Sequence, residues 1–295
     1  MKRLIYCLSI ASLIFSGCAK TEEPKVEPEQ EFLASTALMN RMAVLEDFTG
    51  VRCGYCPDGH VRAKTVADAN LGKFIIIATH ANQYANPVSG WANFTTVQGN
   101  AIDAQAKPAG YPAGTVNRMK CTELGVPAMS PKSLITMDRG QWAAAAAKVM
   151  TLPAPVNIGA KATFDPASRV LTVKVDLYYT ASETVPNSIN VSLLQDRLLS
   201  TQADYSLASP YLAYNYEQNH VLRDMITKGN FGETITESTT TGSKVSKTYI
   251  YTVPQDYNGT AVEGGGAVVV DNLKVVVYVT RGQLEILNAQ SVDVK

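Results

Sequence analysis

The spacing of hydrophobic residues changes several times along the chain, and each change predicts a different element. Leu4 to Phe15 is an apolar run preceded by Met1-Lys2-Arg3. It is too short to span a bilayer and has the length and the basic flank of a signal peptide. Ala19 to Glu31 is rich in Glu, Lys and Pro, with almost nothing apolar. Such a segment cannot bury a core and reads as a solvated tether. Met42 to Phe48 is a short apolar stretch. Cys53 to Asn70 then carries Val61, Ala63, Val66 and Ala67 at helical spacing and ends at Gly72, and Phe74 to Ala78 is apolar at every position. That continuous run suits a strand buried on both faces, so strand, helix and strand predict a right-handed parallel unit. Further on, Ala113 to Met119 reads as another strand. Asp138, with Gln141 three residues later, caps an Ala-rich helix over Arg139 to Met150.

From Pro155 the period becomes two. Val156, Ile158, Ala160, Ala162 and Phe164 alternate with polar residues, Asp165-Pro166-Ala167-Ser168 turns, and Leu171, Val173, Val175, Leu177 and Tyr179 alternate again. Ile189 to Leu193, Thr248 to Val253, Leu273 to Val279 and the tail from Leu284 behave likewise. The second half therefore predicts about seven or eight strands, the count of a β-sandwich of the immunoglobulin-like kind. Residues 229–243, full of Gly, Thr and Ser, are expected as one long loop. The whole chain divides into a signal peptide (1–17), an acidic tether (18–36), an α/β domain (37–151) and an all-β domain (152–295).

At 295 residues, with 46% apolar and 18% charged residues, there is room for two domains with sizeable cores. Lys plus Arg (26) balance Asp plus Glu (26), which removes the basic footprint that a nucleic-acid partner needs. No Ser/His/Asp arrangement, Gly-rich phosphate loop or carboxylate pair suggests itself, and no cofactor is expected.

The cysteines carry the chemistry. Five of them, at 7, 18, 53, 56 and 121, are too few for a disulfide-built scaffold. Cys7 lies inside the signal. Cys53-Gly54-Tyr55-Cys56 sits where the first strand hands over to the helix, and the free amide N–H groups and positive end of a helix favour a thiolate there, lowering a thiol pKa to roughly 3.5–7.5. Cys53 is expected to be the better exposed thiol and the nucleophile, with Cys56 one turn in as the resolving thiol. The same spacing also suits a metal, with His60 close enough in sequence to be a third zinc ligand, although neither a second C-x-x-C nor an H-x-x-x-H pair accompanies it. Otherwise His60 is a solvated helix residue. His80 ends the buried strand as a packed group near the site, and Cys121 is a half-buried free thiol just past a strand.

Asp47-Phe48-Thr49-Gly50-Val51-Arg52-Cys53-Gly54-Tyr55-Cys56 resembles the thioredoxin superfamily, including an Asp six residues before the first Cys. The resemblance implies that Asp47 is a buried acid assisting proton transfer at Cys56. Gly110-Tyr111-Pro112 resembles that family's loop, whose cis-proline packs against the Cys pair; Pro108, in a near-copy Pro-Ala-Gly triplet, is the competing candidate. The interval from Cys53 to Pro112 exceeds that of a minimal thioredoxin and implies an insertion within about residues 81–107. Cys53, Cys56, Asp47, Tyr111 and Pro112 are thus the catalytic set that the resemblance implies.

Ser16-Gly17-Cys18 resembles the lipobox of bacterial lipoproteins, although Phe15 stands where Leu is usual. The resemblance implies acylation of Cys18 as a membrane anchor; otherwise Cys18 is an incidental thiol near an ordinary cleavage site. No Asp follows Cys18, and Glu22-Glu23 resembles the surface-export signal of Bacteroidetes lipoproteins, so the outer membrane, on its periplasmic or cell-surface face, is expected. The Cys-Gly-Tyr-Cys-Pro sequence, Val116-Asn117-Arg118 after the proline loop, and Asn219-His220-Val221-Leu222-Arg223 in the β-rich half together resemble the 28-kilodalton outer-membrane protein family of Bacteroidetes. His220 and Arg223 are either a site or the polar side of a strand. Two functions follow. One is an anchored extracytoplasmic thiol–disulfide oxidoreductase with protein thiol or disulfide substrates and a redox partner. The other is a surface binding protein or adhesin with a structural or vestigial Cys pair.

Overall fold

The structure, a computed structural model, describes residues 31–86, 89–227, 229–257 and 266–295. The signal peptide, Cys18 and most of the expected tether lie outside the described residues. Phe32 to Lys295 is one compact unit. The tether's expected end at residue 36 is corrected, because Leu33 N donates to Asp176 Oδ2 at 2.7 Å and Asn157 Nδ2 donates to the carbonyls of Ser35 and Ala37.

The first half holds β1 (Ala43–Thr49), α1 (Cys56–Ala69), β2 (Phe74–His80), α2 (Asn82–Ala85), α3 (Val97–Ala106), β3 (Ala113–Val116), α4 (Cys121–Leu124), β4 (Met137–Asp138) and α5 (Trp142–Val149). β1 lies parallel to β2 and antiparallel to β3. The expected helix start at Cys53 moves to Cys56. Pro57, in the first turn, lacks the N–H that such a position cannot use, and Cys53 to Tyr55 form the turn before it. The closing helix is likewise shorter than expected. Asp138 accepts from Gly140 N at 2.9 Å, but it caps a 3₁₀ turn over Arg139–Gln141, and α5 begins at Trp142. β3 stops at Val116, short of Met119, because Asn117 (φ 50°) and Arg118 (φ 47°) are left-handed, which ends any strand.

The second half holds β5 (Val156–Asp165), β6 (Val170–Tyr179), β7 (Asn187–Gln195), β8 (Leu198–Ala203), β9 (Leu212–Gln218), β10 (Val221–Met225), β11 (Glu233–Thr234), β12 (Lys244–Thr252), β13 (Leu273–Arg281) and β14 (Ile286–Asp293). The expected loop over 229–243 contains β11, which pairs with β7. Leu171, Val173, Val175 and Leu177 on β6 pack on Val191, Leu193, Val275 and Val277 of β7 and β13, so the period-two pattern does build a two-layer β core.

Each half keeps a core of its own, and a further cluster is shared between them. One sheet runs β14-β13-β7-β10-β2-β1-β3-β4 through both. The joint is made by β10, where Val221 pairs with Ala78 of β2 and Ala78 N donates to the His220 carbonyl at 2.9 Å. The apolar run of β2 is buried on both faces, as its composition requires. One face, with Leu45 and Ile76, meets Val66 of α1 and Trp142 and Ala146 of α5. The other, with Val44, Ile75 and Ile77, meets Leu222, Val276, Tyr278 and Ile286 of the second half. Asn117 reinforces the seam: its side chain accepts from Val44 N at 2.7 Å and donates to the carbonyls of Met42 and Ile286. The division at 151/152 therefore separates two kinds of element that are joined by one continuous sheet and a shared cluster. A fragment of residues 37–151 should expose the Val44/Ile77 face and associate or stay partly unfolded. Size-exclusion chromatography with near-ultraviolet circular dichroism checks this; a monomeric, cooperatively unfolding fragment would contradict the shared core.

Candidate disulfide site

β1 carries its polar residues inward at its C-terminal end and delivers the chain, after the Gly50 turn, to Cys53. Cys53 and Cys56 are disulfide-bonded, with Cα atoms 5.3 Å apart. Cys53 N donates to the Gly50 carbonyl and Cys56 N to the Cys53 carbonyl, which fixes the turn. Cys53 precedes the helix and Cys56 is its first residue, so the positive end of α1 faces both sulfurs. Cys53 is 2% exposed and Cys56 0%, so the expected order of exposure holds although both residues are buried. The cover is the hairpin of β8 and β9, which period-two alternation does not reveal.

Asp47 lies on β1, buried, and its Oδ1 has no hydrogen-bond partner. Burial raises its pKa from 3.8 to about 8, so the carboxyl is mostly protonated at neutral pH. His60 of α1 stands with Nε2 3.9 Å from Asp47 Oδ2. This is not an ion pair, because burial also lowers the imidazole to about 4 and both groups are neutral. His60 is tied instead to Thr49 Oγ1 through Nε2 and to the Tyr216 hydroxyl of β9 through Nδ1, each at 2.8 Å. The zinc arrangement does not form here: both sulfurs are used in the disulfide, and His60 has these two partners.

The Tyr111–Pro112 peptide bond is cis, whereas Pro108 has no such bond. Pro112 lies against α1 at Gly59, where an added Cβ would meet Pro112 Cβ at 2.9 Å. Tyr111 stacks on Tyr84 with ring centroids 4.9 Å apart and donates its hydroxyl to Asp103 Oδ1 at 2.5 Å. Thus the insertion carries its own aromatic support for the proline loop. Cys53, Cys56, Asp47 and Pro112 are all set around the start of α1.

The remaining expected residues fall elsewhere. His80 is buried with no partner on either ring nitrogen, packs edge-on against Phe94, and is pushed down to about 3 by burial. Cys121 is fully buried in place of half-buried, and burial raises its thiol pKa. His220 is left-handed and gives its carbonyl to the β2 joint; its N–H donates to Asp196 Oδ1, which also lies 3.2 Å from its Nδ1. Arg223, on β10, is buried, and its guanidinium lies 5.6 and 4.8 Å from the ring centroids of Phe94 and Tyr257. Glu46 and Arg118 form a buried pair that sequence reasoning did not single out; Arg118 Nε and Nη2 donate to the two carboxylate oxygens at 2.8 and 2.6 Å. A signal for the missed hairpin was available: Tyr205, Tyr211, Tyr214 and Tyr216 crowd into one short segment.

The mixed sheet continued by a two-layer β core has counterparts among known proteins. The family described as outer membrane protein Omp28 matches residues 99–295, more than half of the chain. The chain belongs to the Omp28 outer membrane protein family. Among solved structures, HBP35 of Porphyromonas gingivalis is similar over 87% of this chain and 76% of its own, at 17% identity and a TM-score of 0.62. A crystal structure of an Agrobacterium tumefaciens protein covers 87% of this chain and 96% of its own at 12% identity, with a TM-score of 0.49. A search of the curated proteins finds no match. The first of these likenesses concerns the fold alone. Among the described residues, no helix is long and apolar enough to cross a membrane.

Proposed function

We propose that this outer membrane protein is a lipid-anchored, extracytoplasmic thiol–disulfide oxidoreductase whose first half is a thioredoxin-like module and whose second half is an immunoglobulin-like β-sandwich. The observation that carries the reading is the Cys53–Cys56 disulfide at the start of α1 together with the buried, protonated Asp47 on the adjoining strand. In the reduced protein, the Cys53 thiolate attacks a substrate disulfide; a Cys53–substrate disulfide forms and the other substrate sulfur leaves with the electron pair. In the fraction of molecules whose Asp47 is ionised, Cys56 passes its proton to that carboxylate and attacks the Cys53 sulfur, which closes the disulfide and releases the second substrate thiolate. A carboxyl titrating near 8 is matched to a thiol as a base, which an ordinary Asp is not. Pro112 offers no N–H beside Cys53, and Tyr111 supplies backbone for a substrate strand. The anchor is the acylated Cys18, which lies outside the described residues.

The experiment is a trap. Cys56→Ser should accumulate covalent complexes with protein partners, whereas Cys53→Ser should not, and Cys121→Ser should change little. The 2% exposure of Cys53 favours a second reading, a surface binding protein with a structural disulfide. That reading expects no trapped partner and a reduction potential below about −300 mV, and that pair of results would replace the oxidoreductase.

A further inference from the structure

The segment that buries Cys53 is built like a bound strand. Among the described residues β8 and β9 pair with each other and with no other strand, and the chain leaving β8 runs along the C-x-x-C turn. Ala203 N donates to the Val51 carbonyl at 2.8 Å and Tyr205 N, two residues on, to the Gly54 carbonyl at 2.9 Å. The donors alternate as at the edge of a strand, although the acceptors Val51 and Gly54 are three residues apart in the turn around Cys53. Between them the buried Gln202 side chain donates through Nε2 to the carbonyls of Gly50 and Cys53, at 3.1 and 3.0 Å. The Tyr205 ring closes the top: it meets Tyr55 edge-on with centroids 5.0 Å apart, and a Cβ on Gly54 would lie 2.5 Å from it. Main-chain acceptors around the nucleophile are therefore already filled by the protein's own chain.

We propose that the β8–β9 hairpin is the resident occupant of a groove beside Cys53 that takes an extended, cysteine-bearing polypeptide strand, which enters as the hairpin lifts. This rests on the oxidoreductase reading of the Cys pair. The incoming strand takes over the Val51 and Gly54 carbonyls that Ala203 and Tyr205 release, so main-chain pairing, not a side-chain pocket, selects the substrate. With the Cys53 residue only 2% exposed, an incoming sulfur has little access to it while the hairpin is down. The outer side of the hairpin, with Leu199, Tyr211 and Tyr214, is exposed and leaves room for it to move outward.

Two substitutions open the groove from opposite sides. Tyr205→Ala removes the cover, and Gly54→Ala leaves the hairpin intact but drives a Cβ into the ring. Each is made in a full-length chain carrying Cys56→Ser, with folding checked by circular dichroism. The probe is a ten-residue extended peptide whose single cysteine is disulfide-bonded to thionitrobenzoate. Cys53 thiolate forms a disulfide with the peptide, and thionitrobenzoate leaves with the electron pair. The rate at Cys53 is read by mass spectrometry of its fragment across pH, so that the plateau reports access and the midpoint reports thiol acidity. Each variant that folds should raise the plateau at least threefold. The gain should be smaller for the same peptide with its edge amides N-methylated. A rise below threefold in the folded variants overturns the gate, and equal gains for both peptides overturn the strand groove. Because the peptide is synthetic, failure of the Cys56→Ser trap in cells would end the oxidoreductase reading and leave these rates unaffected.

Discussion

Glu46→Gln should destabilise the protein by about 3–5 kcal/mol, the usual effect of removing one partner from a buried ion pair. Glu46 and Arg118 side chains are each 1% exposed, and the pair is bidentate. Thr115 Oγ1 adds a donor to Glu46 at 3.0 Å, and the Arg118 guanidinium lies 5.6 Å from the Tyr278 ring centroid. Burial is the largest influence on the Arg118 pKa and lowers it, but the Glu46 charge, Tyr278 and the hydrogen bonds to both together raise it further, and the guanidinium stays charged. The neutral amide that replaces the Glu46 carboxylate would leave that charge buried with no counter-ion, so most of the loss is the stranded cation and not a missing hydrogen bond. Urea unfolding of the two proteins measures it. The double variant Glu46→Gln, Arg118→Met, which removes the charge as well, should recover much of the loss. A single-variant loss below about 1 kcal/mol would place the pair in the range of solvent-screened surface bridges and contradict its burial. Since Arg118 also reaches the carbonyl of Gln283 and the hydroxyl of Tyr278, the pair is part of the seam between the halves, and unfolding should remain a single transition.

The elements that continuous apolar runs or strict alternation define were legible in the sequence. Phe74 to Ala78 reads as a doubly buried strand because every residue is apolar, and β6 reads as a half-buried strand because its apolar residues alternate. What the runs do not reveal is what covers them. β2 needs a second layer, and nothing local says that the layer is β13 and β14, some two hundred residues away. The seam depends on three backbone facts: the His220 carbonyl given to Ala78, and the left-handed Asn117 and Arg118. Those residues stand out in the sequence, within Val116-Asn117-Arg118 and Asn219 to Arg223, but their structural meaning does not. The site divides in the same way. Cys53 and Cys56 follow from their spacing, and Asp47 and Pro112 from the resemblance to the thioredoxin superfamily. Gln202 and Tyr205 reach the C-x-x-C turn, and Tyr216 reaches His60, from distant chain; β8 has no period-two signature, since Ser200, Thr201 and Gln202 are buried in succession. A strand buried by hydrogen-bonding polar residues looks like a loop to any hydrophobicity pattern.

Asp47→Asn should stabilise the oxidised protein, by about 4 kcal/mol at pH 7, if one unit of pKa difference is worth about 1.4 kcal/mol. The folded carboxyl titrates at about 8 against an ordinary value of 3.8, because burial opposes the charged form and Oδ1 has no donor. The sign follows from proton binding. Between these two pKa values the native state holds a proton that the unfolded state has lost, so rising pH favours unfolding. Below about pH 4 both states are protonated and wild type and Asn variant should be alike. Stability of the wild type then falls, relative to the variant, as pH rises, and the gap levels off above pH 8 at about 6 kcal/mol. Denaturant midpoints of the two proteins across pH 3 to 9, kept oxidised, measure it. A gap independent of pH would mean that Asp47 is already ionised in the native state, by way of His60 or of water. The same substitution removes the base at Cys56, so under the proposed chemistry the more stable variant should also resolve mixed disulfides more slowly. An acid kept uncharged at the expense of stability is what a group retained for proton transfer looks like, whereas a purely structural disulfide gives no reason to keep it.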